Sequence, residues 1–331
     1  MVLKIGVVGI GNVARANYIP CLAAQEDVAL GYVNRTVSKA RAVACESSGQ
    51  VFASLAELMA WSPDAVFVLT REMDRFDASM ALLEFAPRRL FFEKPLVARH
   101  GYEDVVEQDF FDARQILRTA AVKNCETAMI FNYRFFDQSI TAKEIVESRG
   151  FGSVKNVTGL VHYACWSHAI DLVHFFAGTL AEISALGSQT TRSGAGIEAV
   201  DVTAAFRTDN DATGTLIGTC GMHWGCPLFE LTLNFEGGRI HLRGLDGDME
   251  VLDGTSGRHE LFSISRDHSR WDQYGRSFKK SITAYLTTLR EGTPPPVPGI
   301  AGLQELQVEA GIKRSIEQSR PVVLAEEFPL K

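Results

Sequence analysis

The feature that most constrains this chain is a turn of small residues directly after its first apolar run. The segment "KIGVVGI" leads into Gly9-Ile10-Gly11-Asn12-Val13-Ala14, a G-x-G-x-x-A pattern that precedes a helix-like stretch. The first glycine permits a tight turn, the second lets the backbone approach a pyrophosphate, and the alanine allows close packing of the helix. The free N–H groups of the helix start favour phosphates. A strand-to-helix turn also needs small residues for structural reasons alone, but this context predicts a dinucleotide site.

Short apolar runs and helix-like stretches alternate from residue 1 to about residue 125. The runs lack polar alternation, which is typical of parallel strands buried on both faces. This βαβ series predicts a doubly wound parallel sheet with right-handed crossovers, that is, an N-terminal Rossmann domain over residues 1–125. The predicted strands are "KIGVVGI", "ALGYVNR", "DAVFVLT", "RRLFFEKP" and "TAMIFNY", and the predicted helices include "ARANYIPCLAAQ", "LAELMAWS", "RFDASMALLEFA" and "YEDVVEQDFFDARQILRTAAVKN".

Residues 126–331 have a different pattern, and the 331-residue length also exceeds the roughly 250–300 residues that one core supports. Successive strand-like runs separated by turn residues predict a second α/β domain with a large, mostly antiparallel open sheet. Two helices should close the chain, "RSFKKSITAYLTTLREG" and "GLQELQVEAGIKRSIEQS". The predicted strands are "SVKNVTGLVHY", "DVTAAFRTD", "GTLIGTCGMHW", "LFELTLNFEGG", "RIHLRGL", "DMEVLDG" and "HELFSIS".

Composition narrows the classes of partner and the compartment. The formal net charge is −7, and no basic run suggests a nucleic acid or a membrane surface as partner. No apolar run approaches the ~20 residues of a membrane-spanning helix. The six cysteines are scattered without a C-x-x-C pair, so we expect buried free thiols in a reducing compartment, the cytoplasm.

The end of the second strand bears on the choice of cofactor. An NAD site would usually place an acidic residue here to hold the ribose 2′-hydroxyl. This chain has Asn34, Arg35 and Thr36 instead. A neutral residue beside a guanidinium suits a 2′-phosphate, so the sequence favours NADP over NAD, with NAD still open. The alternative is that Arg35 is a solvated residue at a helix start.

The fifth strand ends in "FFEKPLV", and with the glycine turn and the sheet-rich second half this motif resembles the Gfo/Idh/MocA oxidoreductases. The resemblance extends over the chain, because "FNYRFFDQSITAKEIVESRGFGSVKNV" resembles the family's entry into its second domain. "SHAIDLVHFFAG" resembles its central helix, and "AGLQELQVEAGIKRSIEQSRPVVL" its closing helix and strand.

The resemblance implies reversible hydride transfer between a nicotinamide and a secondary alcohol of a sugar, cyclitol or related polyol. It implies a homodimer or homotetramer formed through the C-terminal sheet. Lys94 matches the family lysine that contacts the nicotinamide ribose or the substrate hydroxyl, and the Lys94–Pro95 peptide is expected to be cis. The complete expected cofactor-binding set is Gly9, Gly11, Asn12, Val13, Ala14, Asn34, Arg35, Thr36, Thr70, Glu93, Lys94 and Pro95.

Three histidines, a cysteine and an aspartate lie close together in "HYACWSHAIDLVHFFAG". Their spacing fits no common zinc motif, so we expect no metal. By resemblance, His168 occupies the position of the family's catalytic histidine, a residue suited to proton exchange near neutral pH. Asp171 would orient it, support the helix start or cap the helix, and His174 would pack.

The sequence departs from the family at Ala164, where dehydrogenases commonly carry an aspartate four residues before the histidine. His168 and Lys94 would then suffice, another group such as Tyr163, His162 or Tyr133 would substitute, or the chain would not be a dehydrogenase. One alternative is a dinucleotide-binding sensor without catalysis, and a second is NAD-dependent glycoside cleavage. The residues expected at the substrate are Tyr133, Arg134, His162, Tyr163 and Asp171.

Overall fold

The N-terminal half of the chain forms a six-stranded parallel sheet in the order β3-β2-β1-β4-β5-β6. The structure is a computed structural model, and it describes residues 2–194, 196–245, 247–263 and 269–331. Strand order reverses between β1 and β4, as expected for a doubly wound sheet, so the predicted fold class of this half is confirmed. The strands are β1 (Leu3–Val8), β2 (Val28–Val33), β3 (Gln50–Val51), β4 (Ala65–Val68), β5 (Arg89–Phe92) and β6 (Glu126–Met129).

Helices connect these strands and cover the sheet. The four predicted helices are present, and α2 is a fifth that the apolar spacing did not indicate, since Ala40 and Val43 are its only buried residues. The first helix begins with a π-helical turn, Ala14–Tyr18. The helices are α1 (Ile19–Ala23), α2 (Val37–Ser47), α3 (Leu55–Ala60), α4 (Glu72–Leu83) and α5 (Glu107–Val122).

The second half contains a nine-stranded sheet in the order β14-β13-β12-β11-β7-β10-β9-β8-β15. Within this second sheet, β7 and β10 form the only parallel pair between described strands, which confirms that the sheet is mostly antiparallel. Its strands are β7 (Val154–His162), β8 (Leu180–Gly194), β9 (Ile197–Thr208), β10 (Thr213–Thr219), β11 (Phe229–Phe235), β12 (Gly238–Arg243), β13 (Asp248–Asp253), β14 (Arg258–Ser263) and β15 (Val322–Val323).

Helices α6, α7 and α9 pack on one face of this sheet or between the two sheets, while the other face stays open. The helices are α6 (Asp137–Ser148), α7 (Trp166–Ala177), α8 (Arg270–Glu291), α9 (Ile300–Gln318) and α10 (Leu324–Glu327). Two short 3₁₀ turns, Asn132–Phe135 and Tyr163–Cys165, precede α6 and α7. Within the described ranges, no helix has both the length and the apolar character needed to cross a bilayer.

The second sheet differs from the sequence expectation in one long strand, and it confirms another predicted strand in part. Strand β8 is fifteen residues long and was not predicted, because only its first half is partly buried and its second half is exposed. Strand β14 confirms the start of "HELFSIS", whose last two residues, 264 and 265, lie outside the described residues.

The long helix α8 packs against the Rossmann sheet although it follows the second sheet in sequence. Phe278, Ile282 and Leu286 share one apolar core with β1 and β4. The ring of Tyr285 lies 4.8 Å from that of Phe91 on β5. The first sheet ends with β6 (Glu126–Met129), which directly follows the predicted boundary at residue 125, and α8 covers this sheet.

Candidate active site

The glycine turn after β1 combines one residue that the fold requires with one that leaves room for a ligand. Gly9 has φ +94°, and a Cβ there would lie 2.5 Å from the backbone nitrogen of Thr70. A Cβ on Gly11 would meet no atom within 4 Å. Asn12 and Val13 are exposed beside this open space, and Ala14 is buried against the sheet. The turn therefore fits a pyrophosphate above the helix start.

Asn34 braces this turn from the end of β2. Its Oδ1 accepts a hydrogen bond from the backbone N–H of Ile10 at 2.9 Å, and its Nδ2 donates to the Thr36 carbonyl at 2.9 Å. Arg35 and Thr36 are exposed. Arg35 makes no hydrogen bond or ion pair with any residue that the structure describes, so its guanidinium is available to a ligand phosphate.

The turn after β5 is held by a buried arginine from α4. Arg75 is 1% exposed, and its guanidinium donates to the carbonyls of Glu93 and Thr70, each at 2.7 Å, and to that of Pro95. The Glu93 carboxylate accepts from the Tyr18 hydroxyl, and burial raises the pKa of Glu93. The Lys94–Pro95 peptide is cis, as expected. The backbone on both sides of Lys94 is thus fixed.

Lys94 lines a narrow cleft between the two sheets whose free volume is about 10 Å³, roughly the room that one water molecule needs. It is half-buried, and its Nζ lies 6.0 Å from the centre of the Tyr102 ring. No carboxylate of the described chain lies within ion-pairing distance of this ammonium. Four of the lining residues come from the first half and five from the second: Lys94, Pro95, Tyr102, Val105, Tyr163, Trp166, Ser167, Glu305 and Glu309.

His168 lies on α7 and is almost completely buried, with 1% of its surface exposed. Its ring stacks on Tyr133, with ring centres 3.9 Å apart and planes 8° apart. Neither ring nitrogen makes a hydrogen bond to a described residue, and Nδ1 is buried. Burial, assisted by the nearby Lys94 ammonium, lowers the pKa of His168 well below its usual value. The imidazole is therefore neutral at physiological pH.

Asp171 does not partner His168. Its two oxygens accept from the Arg134 guanidinium at 2.6 and 2.8 Å, a bidentate pair in which Asp171 is 1% exposed. Burial raises the pKa of Asp171, and Arg134 opposes that shift. This ion pair therefore links the 3₁₀ turn Asn132–Phe135 to α7.

The remaining predicted substrate residues are separated by the structure. The Tyr133 hydroxyl pairs with the Cys165 thiol at 3.1 Å and is buried. His162 is also buried, and its Nδ1 accepts from the Ala164 backbone N–H at 3.1 Å. Tyr163 alone of the predicted substrate group lines the cleft, and its hydroxyl donates to the Val200 carbonyl at 2.9 Å.

Sequence reasoning missed the residues that α4 and α9 bring to this region. Arg75 could have been suspected as a charge inside an otherwise apolar helical face. Glu305 and Glu309 are four residues apart, which places both on one side of a helix that is otherwise predicted to be buried. The conflict between two carboxylates and a buried face was the available signal.

The described part of the chain contains no group of three or more His, Cys, Asp or Glu side chains arranged to hold a metal ion. All six cysteines are free. The expectation that they are buried is correct for Cys125, Cys165 and Cys220, but Cys45 and Cys226 are exposed and Cys21 is half-buried. The exposed thiols lie on α2 and on the turn after β10, where no core covers them.

Comparison with known proteins supports the fold over its entire length. Residues 3–127 match a family described as the Gfo/Idh/MocA oxidoreductase family with an NAD-binding Rossmann fold. An oxidoreductase from Agrobacterium radiobacter, solved with NAD⁺, L-tartaric acid and magnesium, is similar at a TM-score of 0.82 and 15% identity, over 98% of this chain and 99% of that one.

Two further solved structures resemble the chain. Levoglucosan dehydrogenase, solved with NADH and levoglucosan, has a TM-score of 0.79 and 15% identity, over 97% of this chain and 99% of that one. UDP-N-acetylglucosamine 3-dehydrogenase from Acidithiobacillus ferrooxidans has a TM-score of 0.76 and 17% identity, over 96% of this chain and 99% of that one. The matched residues include the glycine turn and the Lys94 turn, so the N-terminal part of the chain resembles the NAD-binding Rossmann domain of the Gfo/Idh/MocA oxidoreductases.

Proposed function

We propose that the chain transfers a hydride between a nicotinamide dinucleotide and a secondary alcohol or ketone of a sugar, cyclitol or related polyol. The observation that carries this proposal is the position of Lys94. Its unpaired ammonium lies at the carboxyl end of a parallel strand, in a cleft shared with side chains of the second half. Ligands of doubly wound sheets bind at that edge.

We assign a separate role to each group of residues in the candidate site. The glycine turn and Arg35 would hold the phosphates, and the Arg75 brace fixes the aim of Lys94. The bound nicotinamide supplies the hydride donor or acceptor. Lys94 stabilises negative charge on the substrate oxygen through its ammonium. His168 is buried, and the Lys94 charge adds to the lowering of its pKa, so it is neutral and can accept a proton only weakly.

Two exposed tryptophans that contact His162 and Tyr274 favour a sugar or polyol as substrate. Trp224 and Trp271 are 37% and 50% exposed, and their rings lie 6.2 Å apart at 24°. Trp224 contacts His162, and Trp271 contacts Tyr274, so the pair adjoins the candidate site. Their faces offer the apolar surface on which the C–H bonds of a sugar ring pack. Levoglucosan and UDP-N-acetylglucosamine, named for two of the similar structures, are sugar derivatives.

We expect the cofactor to be NADP(H) in preference to NAD(H), because Arg35 is exposed and unpaired where the 2′-phosphate would lie. A charge-assisted hydrogen bond contributes about 1.5–3 kcal/mol, which corresponds to a tenfold to hundredfold preference. Arg35→Ala should remove that preference, as measured by fluorescence titration with both reduced cofactors. Arg41→Ala, an exposed arginine on α2, is the matched control. An unchanged ratio of the two Kd values in Arg35→Ala would overturn this assignment.

The activity itself is tested by turnover. The purified protein should oxidise or reduce a member of a panel of sugars, cyclitols, polyols and their ketones, followed by nicotinamide absorbance. Lys94→Ala should lower kcat by a factor of roughly 10²–10³ through loss of charge stabilisation, with little change in cofactor Kd. Full turnover by Lys94→Ala on an identified substrate would refute the proposed role of Lys94.

One observation favours a second candidate, a sensor that binds dinucleotide without turning it over. His168 has no carboxylate partner and no hydrogen bond to a described residue, and it stacks on Tyr133. A sensor would bind NADP(H) or NAD(H) tightly but catalyse no redox change across the panel. Stoichiometric binding with no absorbance change would therefore select this candidate.

We also propose that the open face of the second sheet joins copies of the chain into a homodimer or homotetramer. Leu160, Ile217 and Leu186 are 40%, 39% and 78% exposed. The strand register places Leu160 beside Ile217, Ile217 beside Thr203, and Thr203 beside Leu186. An apolar row across four strands is typical of a surface that another subunit covers. The free thiols favour a cytoplasmic location for the assembly.

A further inference from the structure

Two glutamates of α9 line the cleft beside Lys94. Glu305 has no exposed surface, and Glu309 is 8% exposed. Both carboxyl oxygens of Glu305 are buried and have no hydrogen-bond partner among the described residues. A buried carboxyl without a partner costs several kcal/mol unless it is neutral or a ligand completes it. The open side of Glu305 is the cleft itself, to which it contributes lining atoms.

The charged groups around this pair come from four parts of the fold. Asp171 of α7 and Asp109 of α5 are negative neighbours of Glu305, while Lys94 is its positive neighbour. Glu309 also faces Lys313 on its own helix, and it raises the pKa of Tyr163 across the cleft.

Two of these groups already have partners of their own. The Asp171 carboxylate is paired with Arg134, and Asp109 accepts backbone N–H groups of Arg99 and Val106, each at 2.9 Å. Neither aspartate is therefore available to exchange a proton with a molecule in the cleft.

Burial is the main cause that shifts the pKa values of both glutamates. It raises the pKa of Glu305 well above its usual value, with the charge of Glu309 adding to the effect. It raises the pKa of Glu309 to about 7, against the opposing effect of the Trp166 side chain. Near neutral pH, Glu305 is therefore a carboxylic acid that can donate a hydrogen bond, and Glu309 exchanges protons readily.

We propose that Glu305 is a catalytic residue that gives a proton to the substrate oxygen and takes it back, and that Glu309 carries this proton between Glu305 and solvent. This inference rests on the proposed hydride transfer, and it assigns the proton path of that reaction. The cleft position, complete burial and missing partner of Glu305 carry it.

In the reductive direction, the substrate carbonyl carbon receives a hydride from the reduced nicotinamide. The electron pair of the C=O π bond forms a new O–H bond with the Glu305 proton, which leaves Glu305 as a carboxylate. Glu309 then returns a proton from solvent to Glu305, and Lys94 stabilises the transient negative charge. The oxidative direction is the reverse, so it requires Glu305 as a carboxylate.

Glu305 supplies the carboxyl group that is absent at Ala164. The position four residues before His168 carries no carboxylate, and His168 itself is a poor base because burial lowers its pKa. The carboxyl group comes instead from Glu305 on α9, more than 130 residues later in the chain, which lines the cleft together with Trp166.

Glu305→Gln keeps the shape of the side chain and removes the exchangeable proton. We expect it to lower kcat for carbonyl reduction by a factor of roughly 10²–10⁴, the usual range for general acid–base assistance, while the dinucleotide Kd stays within about twofold. Glu305→Asp should recover part of the lost rate. Glu317→Gln, an exposed glutamate of the same helix, is the matched control and should behave like the wild type.

The pH dependence gives a readout that a structural role would not produce. In the wild type, kcat for reduction should fall and kcat for oxidation should rise as the pH increases through the titration of the pair. Glu305→Gln should flatten both profiles. Infrared difference spectra of the ligand-free protein should contain a protonated-carboxyl band near neutral pH that is missing in Glu305→Gln and present in Glu317→Gln.

Wild-type rates in Glu305→Gln, in a folded protein with an unchanged thermal transition, would overturn the proposal. An infrared spectrum without a protonated carboxyl assignable to Glu305 would overturn it as well. Failure of the proposed function looks different: no enzyme form turns over any member of the panel, although the dinucleotide binds and the carboxyl band is present.

Discussion

Glu309 should make the folded protein lose stability as the pH rises, and Glu309→Gln should abolish that loss. The folded state holds the proton of Glu309 up to a pKa of about 7, whereas the usual value for glutamic acid is 4.5. Between these two pH values the unfolded chain releases the proton and the folded chain retains it. The free energy of unfolding therefore falls with rising pH across that window, and this group adds no further pH dependence outside it.

The size of the effect follows from the shift. About 2.5 pKa units at 1.36 kcal/mol each amount to roughly 3 kcal/mol of unfolding free energy lost between pH 4.5 and pH 7. Glutamine carries no titrating proton, so Glu309→Gln should escape this loss. The variant should gain on the wild type by up to about 3 kcal/mol over this range, and the difference should be constant above pH 7.

The assay is a series of urea unfolding curves at half-unit steps of pH from 4.5 to 8, with the wild type and the variant measured in parallel. The other titrating groups are common to both proteins and cancel in the difference, except Glu305, whose pKa the charge of Glu309 raises further. Glu317→Gln should follow the wild type at every pH, since Glu317 is exposed. Parallel curves for Glu309→Gln and the wild type would refute the reasoning, because they would mean that burial does not shift this carboxyl.

Four other substitutions test the glycine turn, the bracing of the Lys94 turn and the proposed subunit contact. Gly9→Ala should lower the melting temperature, because φ is +94° and the new Cβ would lie 2.5 Å from a backbone nitrogen. Gly11→Ala should keep the melting temperature but weaken dinucleotide binding at least tenfold in a fluorescence titration. Arg75→Met leaves three carbonyls without their donor and should cost roughly 3 kcal/mol in urea unfolding, together with most of the turnover; normal stability would contradict the bracing role. Leu186→Glu should reduce the molar mass measured by light scattering to that of a single chain, and an unchanged mass would remove the open sheet face as the contact.

The nucleotide end of the molecule could be predicted from sequence because its signals are local. Gly9 and Gly11 are two residues apart, and the requirement for a small residue at each position comes from the turn itself. The Lys94 turn was equally readable, since it follows directly from a buried strand. Alternating apolar runs of four to six residues were enough to predict a parallel sheet.

The second half of the site could not be predicted, because its contacts join residues far apart in the chain. Asp171 is near His168 in sequence, yet it pairs with Arg134 on a preceding turn. Glu305 lines the same cleft as Lys94 only because α9 packs between the two sheets, which no periodicity reveals. Strand β8 was missed because half of it is exposed, so its side chains carry little apolar alternation.

Helix α8 ties the two halves together at several points along its length. Its first turn places Trp271 beside Trp224 of the second half, Ser277 accepts a hydrogen bond from Asn132 at 2.8 Å, and Arg290 near its end pairs with Asp27 beside β2. A helix anchored at these points opposes rotation of one half against the other. We therefore expect the two halves to move together when a ligand enters or leaves.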